Sequence, residues 1–459
     1  MMDQQDKTLN KKKRNRLLGW ISFGFLLLAI AAIGFIGIQG VLAYVNRDLG
    51  SLDFGQMMGF VQATAVFAGL SILTALVSFF IRKQKKGLSS FSMILALLVL
   101  LVSGGLVYGY NFVFGSMEHD KEFVELEQEQ IHVVQPKEDG QIDFDEKPVV
   151  QEKTKEEVEA ILSKQELEWE YLVDGDIPEE ALPFMNQQSA LHPCYLLPGA
   201  EQIENILLFG LDRGGASDSV MILSMDRIHK KIKLISLPRD SYIRIPEWGT
   251  YTKLAYAYSA GQAKMAVGAI NYNYSLNIKN YMTVNFNDVS TVIDMAGGVD
   301  VELDYAELDY MNVYKHTGLH VGMNHLNGAE ALTYSRMRNS GYGDNEIKRT
   351  GRQREVLTSL FNTVRTMPIS SYPELIRSCM ELCTTSLQSD RLITMLARAV
   401  SEGYSIETCA LIDKLDYCGM QFGPRNYFYV VYDLDVAGDQ LYRLIYEDYY
   451  ESGYVAENN

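Results

Sequence analysis

Arginines crowd one short segment of an otherwise acidic chain. Arg336, Arg338, Arg349 and Arg352 all belong to this segment. A guanidinium group binds phosphate through two parallel hydrogen bonds, and it stays charged over the physiological pH range. Like charges repel, so the cluster is costly to hold together unless an anion sits among its members. The pattern favours phosphate chemistry over its alternative, a solvated basic surface.

The spacing of these arginines predicts how they are presented. Arg336 and Arg338 are two residues apart and cannot share a helix face, so they suit an extended segment just past a helix end. Arg349 and Gln353 are four residues apart and would share one face of the following helix. We expect both pairs to turn toward the same anion.

Two carboxylates flank a glycine-rich loop earlier in the chain. Asp212 follows a buried-strand pattern, and Asp218 precedes the next one. Ligands of open α/β sheets bind at the carboxyl ends of strands, and a small set of oxygen ligands suits Mg²⁺. Taken alone, this motif is also explained by ordinary turn chemistry, because Asp, Gly and Ser are favoured in loops.

A third group of charged residues follows the third strand pattern. Arg239 and Asp240 stand at its end, and Lys253 comes shortly after. Taken singly, the first two would be a surface ion pair of little energetic weight, and the lysine would be a solvated side chain.

Charge is unevenly distributed over the 459 residues, whose formal net charge is −17. Residues 117–200 hold 22 acidic and 6 basic residues, a net of −16, so nearly the whole excess lies there. The acidic balance argues against nucleic acid as a partner. We interpret the acidic segment as a solvated stalk or small accessory segment.

Three apolar runs without charged side chains fill the N-terminal part, at residues 17–45, 54–81 and 91–114. A membrane core of roughly 30 Å needs about 20 helical residues, so each run predicts a transmembrane helix. Lysine and arginine concentrate before the first run and between the second and third. The predicted protein is therefore a multi-pass protein of the cell membrane, with a cytoplasmic N-terminus and an extracytoplasmic main domain. The five cysteines would lie outside, either bridged or as free thiols.

From residue 204 onward, strand and helix patterns interleave. This predicts an α/β domain with a central, mostly mixed sheet covered by helices on both faces. The predicted domains are a membrane domain at 1–116, the acidic segment at 117–200, a catalytic domain at 201–435 and a C-terminal tail at 436–459. The first three strands are predicted at 205–210, 219–225 and 231–236, and a helix capped by Asn287 at 287–296.

Together, the separated motifs resemble the LytR-CpsA-Psr family in type, order and approximate spacing. The resemblance covers about residues 204–415, and three spans before the domain resemble its capsule-associated members. The motifs that carry it are Leu208-Phe209-Gly210-Leu211-Asp212, Ser217-Asp218-Ser219, Leu237-Pro238-Arg239-Asp240, Asp294-Met295-Ala296-Gly297-Gly298-Val299, Ala331-Leu332-Thr333-Tyr334-Ser335-Arg336-Met337-Arg338 and Arg352-Gln353.

The resemblance implies a phosphotransferase. Such an enzyme moves a glycopolymer from an undecaprenyl pyrophosphate carrier to peptidoglycan, forms a phosphodiester at the muramic acid 6-hydroxyl and leaves undecaprenyl phosphate. Its implied cofactor is Mg²⁺, with Mn²⁺ as a substitute. Its implied partners are the polyprenyl-linked polysaccharide, peptidoglycan and the membrane. The alternative is a non-enzymatic membrane protein that binds lipid-linked polymer and regulates or scaffolds its synthesis.

The resemblance also implies residue roles. Asp212 and Asp218 would hold the metal ion. The pyrophosphate would be bound by Arg239, Lys253, Arg336, Arg338, Arg349, Arg352 and Gln353. Catalysis would involve Arg239, Arg336, Arg338, Asp240 and Asp344. A lipid tail would be lined by Val220, Ile222, Ile235, Phe286, Val292 and Ile293, although core packing is the more ordinary role for each. The chain departs from the family pattern at Ala216, where an arginine is usual, and in a longer spacing between Asp344 and Arg349.

Overall fold

The computed structural model of the chain describes residues 20–32, 35–36, 54–80, 87–114, 118–119, 150–164, 177–185, 200–212, 217–314, 316, 318–338, 346–368, 371–387 and 389–446. It divides into two compact units. The first comprises residues 1–117 with 389–403, and the second comprises residues 118–388 with 404–459.

The first unit contains three apolar helices, α1 (Trp20–Ala32), α2 (Phe54–Phe80) and α3 (Gly87–Phe114). Within the described residues, one stretch, Met57–Val77 of α2, is long and apolar enough to cross a membrane. The apolar parts of the other two helices, Trp20–Ala32 and Ser92–Tyr108, are shorter. Of the three spans expected from the sequence, one therefore meets the length criterion.

Small side chains lie between these helices, and large apolar ones point outward. Ser22, Ser71 and Ser92 are each 0% exposed. The Ser22 hydroxyl lies 2.9 Å from the Ser92 hydroxyl and donates to the Ser71 carbonyl at 2.8 Å, while the Ser71 hydroxyl donates to the Ser22 carbonyl at 2.9 Å. Val66 and Leu101 are among the outward-facing residues that remain exposed.

The second unit begins with β1 (Glu118–His119), α4 (Lys155–Lys164), α5 (Leu182–Met185), β2 (Ile203–Leu211), β3 (Ser217–Asp226), β4 (Lys231–Leu237), β5 (Tyr242–Ile245), β6 (Thr250–Lys253), α6 (Leu254–Tyr274) and β7 (Asn280–Asn285). Next come α7 (Phe286–Ala296), β8 (Val299–Leu303), α8 (Tyr305–Val313), β9 (Gly322–Leu326), α9 (Gly328–Arg336), α10 (Glu346–Thr366), α11 (Tyr372–Leu382) and β10 (Cys383–Thr385). After α12 (Ser389–Ser401), which is grouped with the first unit, follow β11 (Ser405–Ala410), β12 (Cys418–Phe422), β13 (Tyr427–Val431) and α13 (Leu434–Ile445).

Seven strands form the central sheet in the order β1-β10-β7-β2-β3-β4-β11. Strands β2, β3 and β4 pair antiparallel, as the short turns between them require, whereas β2 with β7 and β4 with β11 pair parallel. The mixed sheet expected from the sequence is thus confirmed. The smaller hairpins β5–β6, β8–β9 and β12–β13 stand apart from it.

Helices cover both faces of the sheet. Val220 and Ile222 of β3 are fully buried in a core that includes α6 and α13. Side chains of successive strand residues point to opposite faces, so Ser236 faces away from its neighbour Ile235. Ser236 there accepts a hydrogen bond of 2.7 Å from Arg354 of α10. Helix α10 therefore lies on the face opposite α6.

Several element boundaries differ from the sequence expectation. The cap of α7 is Asn285, whose side chain accepts from the Asn287 backbone N–H, and not Asn287 as predicted. Helix α6 continues through non-helical backbone at Gly261 and Gln262. Helix α13 packs into the main core, so the folded domain extends past the boundary predicted at 435.

Candidate active site

Strand order brings the separated charged motifs to one edge of the sheet. Gly210 of β2 pairs with Ser219 of β3, so Asp212 and Asp218 stand at neighbouring strand ends. Because Val220 of β3 pairs with Leu237 at the end of β4, Arg239 follows beside Asp218. The site is therefore positioned by backbone pairing before any side chain interacts.

Asp218 is the point on which three guanidinium groups converge. Arg239 forms an ion pair with its carboxylate through Nη1. Arg338 Nη2 lies 3.1 Å from Oδ1 and 3.2 Å from Oδ2. Arg349 donates to the Asp218 backbone carbonyl at 2.8 Å, and its Nη1 lies 3.6 Å from Oδ2. The acidic loop and the late arginine segment, distant in sequence, thus meet in one cluster.

Glu346 is a member of the cluster that the sequence analysis missed. It forms an ion pair with Arg349 and lies 3.3 Å from Arg239 Nε. Side chains three residues apart on a helix are neighbours, so the position of Glu346 three residues before Arg349 on α10 could have indicated this ion pair. Three guanidinium groups against two carboxylates leave an excess of one positive charge.

Burial shapes the electrostatics of this cluster. Arg349 is only 2% exposed. Its pKa is lowered first by desolvation, and also by the positive charges of Arg239 and Arg338, while Glu346 and Asp218 act in the opposite direction. Guanidinium groups that repel one another in a dehydrated place favour the arrival of an anion.

Arg336 flanks the cluster without an acidic partner. It ends α9, and its guanidinium lies 5.2 Å from the ring centroid of Phe286, a cation–π distance. Among the residues the structure describes, it forms no ion pair. Gly210 lies beneath the same ring, and a Cβ there would come within 3.1 Å of Phe286. Glycine at this position lets the ring sit where it supports Arg336.

Asp240 and Lys253 form a pair next to the cluster. Lys253 Nζ lies 2.8 Å from Asp240 Oδ1, and Asp240 Oδ2 lies 3.7 Å from Arg239 Nε. The ammonium group also lies over the rings of Tyr427 and Tyr429, at 5.7 and 5.6 Å from their centroids. Asp240 is thereby placed to orient Arg239.

Arg352 is not directed at Asp218. It donates to the Met337 carbonyl at 2.7 Å and lies 3.3 Å from Glu307 Oε1. It therefore holds the backbone between Arg336 and Arg338. Gln353 is 4% exposed, and both amide atoms lack a hydrogen-bond partner among the described residues.

A tyrosine pair adjoins Arg338. The ring centroids of Tyr310 and Tyr314 are 4.8 Å apart, and their hydroxyl groups are separated by 3.3 Å. The pKa of Tyr310 is raised to about 12, first by burial and then by Tyr314, while hydrogen bonding to the backbone of Arg338 acts in the opposite direction. Helix α8 thus reaches the arginine segment.

The positions predicted to line a lipid tail do not form one surface. Val220, Ile222 and Ile235 belong to the core that includes α6, whereas Ile293 belongs to a second core around β8 and β9. Phe286 supports Arg336, and Val292 on α7 is half-buried. Lipid lining stays a prediction for these residues.

Two further expectations concern the chemistry of the site. Asp344, predicted as a catalytic residue, lies outside the described residues. For the metal, Asp212 and Asp218 are the candidate ligands, and the described part of the chain offers no group of three or more His, Cys, Asp or Glu side chains for a metal ion. The four described cysteines, Cys379, Cys383, Cys409 and Cys418, are free thiols.

Comparison with known proteins bears on the same region. Residues 181–433 match the model of the LytR_cpsA_psr family. TagV of Bacillus subtilis (strain 168), a polyisoprenyl-teichoic acid–peptidoglycan teichoic acid transferase, is 31% identical over 238 residues, which cover 49% of this chain and 59% of that protein. The enzyme of the same activity named TagU from Enterococcus faecalis (strain ATCC 700802 / V583) is 29% identical over 200 residues, covering 40% of this chain and 62% of the relative. The chain thus spans about three-fifths of the length of these relatives.

Solved structures with a similar chain course include protein gbs0355 from Streptococcus agalactiae. It has a TM-score of 0.46 and 23% identity, and the match covers 55% of this chain and 95% of that one. Another is the LytR-CPS2A-psr family protein YwtF (TagT) with bound octaprenyl pyrophosphate lipid. It has a TM-score of 0.41 and 22% identity, covering 55% of this chain and 92% of that one.

Proposed function

Because the chain belongs to the LytR_cpsA_psr family, we propose that it is a phosphotransferase of cell-wall assembly. It would move a glycopolymer from undecaprenyl pyrophosphate to the 6-hydroxyl of muramic acid in peptidoglycan. The convergence of Arg239, Arg338 and Arg349 on Asp218 is the observation that carries this proposal. The activity for which TagV and TagU are named supports the substrate class.

The reaction exchanges one phosphorus–oxygen bond for another. The acceptor hydroxyl oxygen bonds to the phosphorus that bears the polymer, and the bond from that phosphorus to the bridging oxygen of the diphosphate breaks. The electron pair leaves with undecaprenyl phosphate, and the hydroxyl proton passes to a base. Phosphoryl transfer depends mainly on positioning and charge stabilisation.

The arginines supply that stabilisation in this proposal. Arg338, half-exposed at the edge of the cluster, can turn from Asp218 to the diphosphate. Arg349 is fixed by its bond to the Asp218 carbonyl and presents a charge that needs no reorganisation. Arg352 is a positioning residue, since it holds the Met337 carbonyl between Arg336 and Arg338.

The carboxylates fit a magnesium ion in kind and number. Mg²⁺ is typically held by one or two protein carboxylates and by substrate phosphates, and Asp212 and Asp218 stand at adjacent strand ends. When bound there, Mg²⁺ or Mn²⁺ would neutralise charge on the phosphates. The Asp218 carboxylate accepts hydrogen bonds from a guanidinium group. We expect an arriving diphosphate to take over these bonds and so to free the carboxylate oxygens of Asp218 for the metal.

We also propose that α1, α2 and α3 all cross the membrane, with the main domain outside. Serine hydroxyls satisfy one another between the helices, while residues such as Val66 and Leu101 face outward. This arrangement is typical of helices packed in lipid, where small and polar residues form the contacts. Lysine and arginine before α1 and between α2 and α3 support a cytoplasmic N-terminus.

The topology is tested with single cysteines introduced at Lys12, Asp48 and Lys85 after the five native cysteines are replaced by serine. A membrane-impermeant maleimide should label Asp48→Cys on intact cells, and the other two only after permeabilisation. Labelling of Lys85→Cys from outside would overturn the proposed topology.

The activity is tested with full-length protein, an undecaprenyl pyrophosphate-linked polymer and purified peptidoglycan. Asp212→Ala and Arg338→Ala should each lower covalent attachment of polymer by about 10² or more, the usual effect of removing one group that stabilises the transition state. The matched control is Arg377→Ala, an exposed arginine of α11 paired with Glu381. Undiminished transfer by both site variants would overturn the assignment of these two residues, whereas no transfer by the unaltered protein would favour the non-enzymatic scaffold.

A further inference from the structure

A cleft of about 790 Å³ lies along helix α10, outside the guanidinium cluster. Its walls come from α10, from β11 and from the β8–β9 hairpin, and include Arg354, Thr358, Asn362 and Thr408. Binding sites for small ligands commonly have volumes of roughly 300–1,000 Å³. Apart from Ile406 and Gly351, the side chains that line this cleft are polar or charged.

Arg354 is a buried cation in this cleft that forms no ion pair with a carboxylate among the described residues, although the charge of Asp413 acts on it electrostatically. It is 9% exposed, and its one hydrogen bond among the described residues goes from Nη1 to the Ser236 hydroxyl at 2.7 Å. Its Nε is buried without a partner. A buried charge is costly unless it is paired, and a guanidinium does not escape this cost by losing its proton. An anion in the cleft would supply the missing partner.

The acidic residues of the cleft are already engaged. Asp300 lies 2.7 Å from His325 Nδ1, and Glu355 accepts from the Tyr334 hydroxyl at 2.7 Å. These contacts lower the repulsion that a ligand anion would meet. The positive charge of Arg354 remains the one that lacks an ionic partner in the described lining of the cleft.

Unused hydrogen-bonding groups accompany Arg354 along the same helix. Thr358 Oγ1 is buried without a hydrogen-bond partner among the described residues, and the Asn362 amide forms no hydrogen bond within them. The Ser359 hydroxyl accepts from the Asp300 backbone N–H at 2.7 Å and keeps its own proton to donate. Positions 354, 358 and 362 recur at the helical spacing of four, so they face one ligand. A hydroxyl-rich ligand matches such a surface.

A second, smaller cavity adjoins this cleft and has Arg352 of the arginine segment in its lining. It has a volume of about 260 Å³, is lined by Lys348 and Arg352, and shares Gly351 and Glu355 with the larger cleft. Helix α10 rises about 1.5 Å per residue, so residues 351–366 extend over roughly 22 Å. A chain attached to a diphosphate at Arg349 could follow this helix directly into the cleft.

We propose that the cleft binds the polymer part of the donor, and that the preferred polymer is an anionic, hydroxyl-rich chain of sugar-phosphate or polyol-phosphate units. Arg354 would pair with a phosphate of the chain, and Thr358, Ser359 and Asn362 would bind its hydroxyl groups. The inference rests on the proposed transferase function and adds the class of polymer and the place where it binds.

The test measures binding of a lipid-free poly(glycerol phosphate) oligomer to the full-length protein in detergent by calorimetry. Arg354→Met should weaken binding about tenfold, the effect of one charge-assisted hydrogen-bonded pair. Asn362→Ala, on an exposed position that tolerates change, should weaken binding about threefold. Arg377→Met on α11 serves as the matched control and should bind as the unaltered protein does.

Two comparison ligands test whether the cleft requires an anion and whether it binds the donor or the acceptor. An uncharged dextran of equal length should bind at least about tenfold more weakly. A soluble disaccharide-peptide fragment of peptidoglycan should not compete with the oligomer. Equal binding of dextran would overturn the requirement for an anion, and competition by the peptidoglycan fragment would assign the cleft to the acceptor instead.

The outcome is separable from the fate of the proposed function. Arg338→Met should lose transfer yet bind the lipid-free oligomer normally, because this probe has no diphosphate. Unchanged oligomer affinity in both Arg354→Met and Asn362→Ala would overturn the cleft assignment and leave the transferase proposal standing. Persistent transfer by Arg338→Met would overturn the role given to Arg338, and absence of transfer by the unaltered protein would overturn the transferase proposal alone.

Discussion

Arg349 is bound to Asp218 through the backbone as well as through the side chain. Its Nη2 donates to the Asp218 carbonyl at 2.8 Å, while its Nη1 lies 3.6 Å from the carboxylate. The bond ties the start of β3 to the first turns of α10. The arginine is therefore part of the fold as well as part of the proposed anion site.

Loss of the Arg349 guanidinium should destabilise the protein. Arg349→Met leaves Asp218 with one cation fewer and leaves its carbonyl without this donor, and breaking a buried pair costs about 3–5 kcal/mol. We expect a loss in this range in the free energy of unfolding, measured by urea denaturation with fluorescence of the buried Trp248. Arg377→Met should change it by less than about 0.5 kcal/mol. An equally small effect of Arg349→Met would show that the contact is dispensable.

Asp218 should compete with a bound anion for the same guanidinium groups. In Asp218→Asn without divalent metal, Arg338 and Arg239 are released, and inorganic pyrophosphate should bind about tenfold more tightly. With Mg²⁺ present, the order should reverse, because the variant would lack one of the two proposed metal ligands. Calorimetry with and without the metal measures both affinities.

The same variant has a matched control in Asp240→Asn, which removes a neighbouring carboxylate that pairs with Lys253. We expect this control to show no reversal on addition of Mg²⁺. Weaker pyrophosphate binding by Asp218→Asn in the absence of metal would mean that Asp218 orders the arginines and does not compete for them.

The convergence of Asp212, Asp218 and Arg239 could be predicted because each lies near the end of a strand. Short connections join β2 to β3 and β3 to β4, so the pairing of these strands follows from local sequence and places the three residues at neighbouring positions. The end of α9 at Arg336 likewise leaves Arg338 free to turn inward, as its spacing indicated. Local patterns were sufficient where the contacts follow from neighbouring elements.

The different roles of Arg349 and Arg352 could not be predicted, although they are three residues apart on one helix. Arg352 turns to Glu307, a residue 45 positions earlier in the chain, and no local spacing reveals this partner. The polar cleft was missed for a similar reason. Arg354, Thr358 and Asn362 face β11, which is separated from α10 by three intervening elements, so their environment depends on tertiary packing.

Arg352 and Glu307 should contribute to activity through the segment that they hold. Arg352→Met removes the donor to the Met337 carbonyl, so Arg336 and Arg338 lose their fixed positions. We expect transfer to fall at least about tenfold, with the loss in kcat more than in KM for the donor. Glu307→Gln should also lower transfer, but by less, because the hydrogen bond from Arg352 to the Met337 carbonyl persists.

A double-mutant cycle separates this positioning role from direct anion binding. If Arg352 acts through Glu307, the two substitutions should be less than additive in both activity and unfolding free energy. Pyrophosphate affinity should fall much less in Arg352→Met than in Arg338→Met. Equal losses of affinity would return Arg352 to the group of direct pyrophosphate ligands.

His325 should give the β8–β9 hairpin a stability that depends on pH. Its Nδ1 lies 2.7 Å from Asp300, its Nε2 lies 2.8 Å from the Gly297 carbonyl, and these two hydrogen bonds are the main reason that its pKa is raised above 6.5. Both nitrogens can donate only in the imidazolium form. A raised folded-state pKa gives stability that is fully present below the unfolded value and is lost as pH rises through the folded value.

His325→Gln should therefore lower the melting temperature more at about pH 5.5 than at about pH 8.5, because the stabilisation by the imidazolium form declines as the pH rises. The effect should remain below about 1 kcal/mol, because the pair with Asp300 is well exposed to solvent. His320→Gln is the control, since the hydrogen bonds of His320 to Asn324 use its backbone and not its ring. If the melting temperatures of the two variants differ by the same amount at both pH values, His325 acts through packing alone. The charge of its side chain would then not stabilise the hairpin.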